Sequence, residues 1–159
     1  MGKRCMKPPW LVSLVLLLSL EAHAGAWGEG SFENDDALDW ATECSDSKDT
    51  APVARALNAV LKSEYIEAPE ASAAIAAAEV VAAAIGKPSA NIPSELRGWI
   101  HRQPPQKLVQ LAPLAKKALV RIQDPAVSEL TQLWSEGKPN KWPVVMKAGM
   151  TRCSRLKTF

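Results

Sequence analysis

The stretch Glu70–Ile85, EASAAIAAAEVVAAAI, decides the fold. Pro69 stands at its start, and Gly86 followed by Pro88 stands at its end, the punctuation of a helix with defined limits. Its residues are apolar nearly all round, so it has no polar face to offer to water. Such a helix is buried on every side, and other helices must surround it. Its many alanines let neighbouring backbones come close.

Working outward, each flanking segment also reads as a helix. Asn34 or Asp35 can cap a helix that carries Ala37, Leu38, Trp40, Ala41 and Cys44, with an acidic first turn suited to the helix dipole. Thr50 can cap the next, with Pro52 in its first turn and Val53, Leu57, Val60 and Leu61 on one face. Ser94 can cap a short helix holding Leu96, Trp99 and Ile100 before Pro104-Pro105. Lys107–Ile122 is helical in pattern, with Pro113 breaking or kinking it. Asp124-Pro125 reads as a cap and first-turn proline ahead of Val127, Leu130 and Trp134. A last helix presents Trp142, Met146, Met150, Cys153 and Leu156. No strand alternation competes. The expected class is all-α: an irregular bundle of about six to seven short helices behind a glycine-rich loop, Gly25–Gly30.

The extreme N-terminus is of another kind. Lys3, Arg4 and Lys7 precede an uncharged apolar run, Trp10–Leu20, and Ala22-His23-Ala24 supplies an A-x-A cleavage site. A membrane-spanning helix needs about 20 apolar residues, and this run ends sooner, at Glu21. Residues 1–24 are therefore expected to be a secretory signal, cut between Ala24 and Gly25. The product, residues 25–159, would be one domain, periplasmic or extracellular and free of the membrane.

Cleavage changes the arithmetic. The 159-residue chain has net charge +2, whereas residues 25–159 hold 16 basic and 16 acidic residues. The charge is unevenly spread, with eight acids and one base in 25–49 against twelve bases and three acids in 97–159. Attraction between the two ends is the simplest expectation. The bases are interspersed with apolar residues, so nucleic acid is not an expected partner. Cys44 and Cys153 are the cysteines left after cleavage, an even pair in an oxidising compartment. A bridge between them would close a loop of roughly 100 residues, for which chain entropy suggests up to about 4.7 kcal/mol. Two buried thiols are the alternative.

At Gly25–Trp40 the sequence GAWGEGSFENDDALDW resembles the opening signature of a bacterial family known as domain of unknown function 4259. AAAEVVAAAIG (Ala76–Gly86), SELTQLW (Ser128–Trp134) and Trp142 are also similar to that family. The resemblance makes Gly25, Trp27, Gly28, Asn34, Asp35 and Asp36 family-motif residues, and it implies no reaction. In the family the motif follows the initiator Met directly, so the signal peptide here is a departure. Removal of Met in one case and signal cleavage in the other would expose the same glycine. The α-amino group of Gly25 is therefore expected to be placed specifically, against a carboxylate.

Glu79 is the one charge between Glu70 and Lys87, in the helix expected to be most buried. It can serve as a general acid or base, as receptor for the Gly25 amine, or as a structural carboxylate bonded to amides or Trp. Glu33, Asn34, Asp35, Asp36 and Asp39 could bind a hard cation, yet they lack EF-hand spacing, and capping explains them more simply. GAWGEG lacks the Walker Lys-Ser/Thr, so no nucleotide is expected. His101 alone follows the cut, which rules out a multi-histidine zinc site within one chain. No metal or cofactor is expected. Two functions stay in view: a module that binds another protein, and a small hydrolase using Glu79 with the acidic opening motif.

Overall fold

The computed structural model describes residues 30–135 and 142–154. Eight helices follow one another there: α1 (Asp35–Asp46), α2 (Ala51–Lys62), α3 (Ala68–Ala84), α4 (Ser94–Arg102), α5 (Pro105–Val109), α6 (Ala112–Ile122), α7 (Glu129–Ser135) and α8 (Trp142–Ser154). The fold is all-α, and α3 is its hub. From Ala71 to Ala82 every residue of α3 except Ala73 is buried, so the helix has no solvent face over three turns. Helices α2, α6, α1 and α8 pack against it, with α4, α5 and α7 making lesser contacts. Small side chains bring these neighbours close, and the larger core residues, among them Leu57, Leu96, Trp99, Leu119 and Ile122, come from the helices around it.

The end of α3 matches the punctuation in its sequence. Gly86 adopts φ +84°, its N–H donates to the Ala83 carbonyl at 2.9 Å, and the Lys87 N–H donates to Ala82 at 2.9 Å. That is a Schellman closure around a left-handed glycine. The start is held from outside, because Glu129 of α7 accepts the Ala68 N–H at 2.8 Å. A short parallel bridge, Ile66 with Ser128, ties the two interhelical segments there. The Ile66 N–H donates to Val127 at 2.7 Å, and the Glu129 N–H donates to Ile66 at 3.0 Å.

Lys107–Ile122 is broken rather than kinked, because Pro113 lies in the first turn of α6 and a tight turn at Gln110–Leu111 separates that helix from α5. Three local expectations are corrected. Ser94 is the first helical residue, not the cap, and its hydroxyl donates to Glu95. Thr50 occupies the cap position of α2 without a side-chain bond; Asp49 accepts the Ala51 N–H instead. Asp124-Pro125 forms a turn, and α7 begins at Glu129, with the Ser128 hydroxyl accepting the Thr131 N–H. Asn34 caps α1 as its type predicts, accepting the Ala37 N–H at 2.8 Å. No helix among the described residues is long and apolar enough to cross a membrane.

Candidate functional site

Glu79 lies midway along α3 and is 2% exposed. Burying a carboxylate is tolerable only with compensating donors. One oxygen, Oε1, has two: the Ser31 hydroxyl donates to it at 3.0 Å, and the Arg152 guanidinium of α8 donates in an ion pair. The second oxygen, Oε2, is buried and has no hydrogen-bond partner among the described residues, as is true of Arg152 Nε. Arg152 is buried less deeply, with 24% of its side chain exposed. The carboxylate thus joins the N-terminal loop to α8 through the centre of the molecule.

The loop that presents Ser31 is shaped by Gly30. The Glu33 N–H donates to the Gly30 carbonyl at 3.0 Å, while Glu33 Oε2 accepts the Gly30 N–H at 3.0 Å. A β-carbon on residue 30 would lie 2.6 Å from Glu33 Cδ, so any larger residue there would push the Glu33 carboxylate aside. Phe32 enters the core beside it, and α1 starts two residues after Glu33. Gly28 and Trp27, like Gly25 and Ala24 at the expected cut, lie outside the described residues.

The acidic motif does not converge on Glu79. Asp35, Asp39, Glu43 and Asp46 are exposed and recur at helical spacing, forming an outward stripe on α1 opposite the buried Ala37, Trp40, Ala41 and Cys44. Asp36 is half-buried, and its carboxyl is raised above the ordinary range by desolvation first, then by the charges of Asp39 and Asp35. The expected attraction between the acidic and basic ends is not realised among the described residues. Glu43 pairs with Arg55 of α2 at 2.8 Å, and Arg152 turns inward to Glu79. The basic residues Lys107, Lys116 and Lys117 remain on the surface, where water screens them.

The expected bridge is corrected too: Cys44 and Cys153 are both free and buried. They sit on α1 and α8, helices that each pack on α3, and the Cys153 thiol donates to the Ala78 carbonyl at 3.4 Å. Burial pushes both thiols up to about 12, aided at Cys44 by Glu43 and at Cys153 by Glu79, and opposed by Arg55 and Arg152 respectively. Neither thiol is poised as a nucleophile.

Surface cavities open among the described residues. One of about 320 Å³ is lined by Pro88, Ile92, Arg97 and His101, and one of about 300 Å³ by Leu38, Thr42, Asp46 and Glu95. Glu79 and Asp35 line neither. His101 is exposed, and no cluster suited to a metal ion occurs among the described residues.

Ser31 and Arg152 were not anticipated as partners of Glu79. A signal for Arg152 existed, since it follows Met146 and Gly149 and precedes Cys153 on the inward stripe of α8. Two isolated opposite charges on two apolar faces are natural partners. Ser31 carried no such signal.

No curated protein and no solved structure matches this chain. A family model does match, over residues 25–143, under the description Domain of unknown function (DUF4259). The chain belongs to that family.

Proposed function

We propose that residues 25–159 are an exported, non-catalytic domain that binds another protein through the acidic face of α1. The observation that carries this reading is a separation of roles among the carboxylates. Glu79, the one carboxylate of the described core, is closed off from solvent, while Asp35, Asp39 and Asp46 face water without an ion-pair partner among the described residues. A stripe of unneutralised charge on a rigid helix suits recognition of a basic surface, where it speeds and orients encounter. Export is supported by the basic start, the apolar run and the A-x-A site, and by a family match that begins at Gly25, the residue after the expected cut.

The test is affinity capture from the exported fraction, run with the natural chain and with an Asp35→Lys, Asp39→Lys, Asp46→Lys variant of unchanged circular dichroism. A partner retained by the first and lost by the second, in a salt-dependent manner, is the expected result. Equal capture by both would overturn the assignment to α1. A catalytic activity abolished by Glu79→Gln in a folded chain would overturn the non-catalytic reading.

A further inference from the structure

The cavity of about 300 Å³ between α1 and α4 has a lining of two kinds. Leu38, Ala41 and Pro93 are its apolar part, and Thr42, Ser45, Asp46 and Glu95 supply its polar side chains. The two hydroxyls are not free to donate. Thr42 Oγ1 donates to the Leu38 carbonyl at 3.0 Å, and Ser45 Oγ donates to the Ala41 carbonyl at 2.7 Å. With their single hydrogens spent inside α1, both can only accept. An ionised carboxylate likewise only accepts, and Glu95 has one oxygen engaged, by the Ser94 hydroxyl at 2.8 Å. Each polar side chain among the described lining is therefore an acceptor, two of them anionic, and no basic residue stands among them.

We infer that this cavity seats an arginine side chain of the protein bound by the acidic face of α1, a step that rests on the binding role proposed above for that face. Arginine is the complement in kind. Its guanidinium carries N–H donors on every nitrogen and no acceptor, and its charge is not lost at any working pH. Its aliphatic stem can lie along Leu38, Ala41 and Pro93 while the head meets Asp46 and Glu95. Lysine brings fewer donors on a compact point charge, whereas a planar fork reaches hydroxyl and carboxylate acceptors on two helices at once. The position fits the face as well. Leu38, Thr42 and Ser45 recur at three- and four-residue intervals along α1, beside the exposed Asp35, Asp39 and Asp46, and Asp46 belongs to both rows. The outer acids speed encounter with a basic surface, and the cavity then fixes its register through one side chain.

The test titrates the natural chain, as its cell processes it and isotopically labelled for amide NMR, with N-acetyl-arginine methylamide as the probe. The amide resonances of Thr42, Ser45, Asp46 and Glu95 are expected to shift and saturate together. The citrulline analogue, which swaps the guanidinium for a neutral urea of the same shape, should bind about tenfold more weakly, and the lysine analogue more weakly than arginine too. Thr42→Leu fills the cavity without altering any charge and is expected to weaken the arginine probe about tenfold. Because that leucine could disturb α1, Glu95→Gln at an exposed position gives a second measure, with a loss of about threefold expected. Cavity amides that do not move, or that respond equally to all three probes, overturn the proposal. So do variants that bind the arginine probe as tightly as the natural chain does. Capture from the exported fraction separates the cavity from the face around it. A partner lost by the triple lysine variant but held fully by Thr42→Leu overturns the cavity and leaves the face of α1 standing. An arginine probe seated in the cavity of a natural chain that captures no partner supports the cavity and overturns the face.

Discussion

Glu79 and Arg152 pair across 73 positions of sequence, so the carboxylate of the central helix holds the last described helix by its guanidinium. The two partners are unequally buried, with 3% of the Glu79 side chain and 24% of the Arg152 side chain exposed. That inequality sets an order of effects.

Removing the cation strands a buried anion, whereas removing the anion frees a cation that can swing toward water. Arg152→Met is expected to cost about 3 kcal/mol, at the lower end for a broken buried pair. Glu79→Gln, which keeps an acceptor for Ser31, should cost about 1–2 kcal/mol. Urea unfolding of the two variants beside the natural chain checks this. Equal losses, or the reverse order, would contradict the burial argument.

The free thiols make a second prediction. Cys44 and Cys153 should resist a thiol reagent at pH 8 in the native state and react fully in guanidinium, and a reductant should leave the melting temperature unchanged. Their proton affinity also carries a sign. Because each thiol sits at about 12 when folded against an ordinary value of 9.0, the native state holds protons that the unfolded chain releases. This contribution to stability is complete below pH 9 and declines as pH rises through 9 toward 12. A melting temperature that rises over that window would sink the assignment.

The same substitution at two glycines should act in opposite directions. Gly86 has φ +84° and nothing within 4 Å of a would-be β-carbon, so Gly86→Ala meets only backbone strain and should cost about 1 kcal/mol. Gly149 lies inside α8, where a β-carbon would rest 3.5 Å from Leu119 Cδ1, an ordinary contact. There alanine improves helix propensity and should stabilise by up to about 1 kcal/mol. Urea midpoints that move together would refute the distinction.

These cases also separate what the sequence could and could not express. The hub helix was legible because its composition and both stop signals act locally: an all-apolar surface demands neighbours, and Gly86 closes its own helix. The burial of Glu79 followed from that. Its partners did not, because Ser31 and Arg152 meet it only after three separate segments converge. The cysteine pair shows the same limit more sharply. Parity and compartment argued for a bridge, but bridging depends on where two Cβ atoms lie; Cys153 of α8 meets the Ala78 carbonyl of α3, and Cys44 lies buried on α1 as a free thiol. Among the described residues the acidic and basic ends do not pair, for a related reason: a net charge by segment does not say which face each charge occupies.

Helix caps supply the closest comparison between residue type and realised bond. Asn34, Thr50 and Ser94 are all good capping types, yet only Asn34 accepts an N–H from the helix it precedes. Asn34→Ala should therefore cost about 1 kcal/mol. Thr50→Ala and Ser94→Ala should change stability by a few tenths at most, because neither removes a cap bond. For α2 the sensitive position shifts one residue back, to Asp49, whose carboxylate accepts the Ala51 N–H at 2.9 Å. Asp49→Ala should then exceed Thr50→Ala in urea unfolding, even though threonine holds the formal cap position. A larger loss at Thr50 than at Asp49 would mean that this helix begins differently from the structure described here.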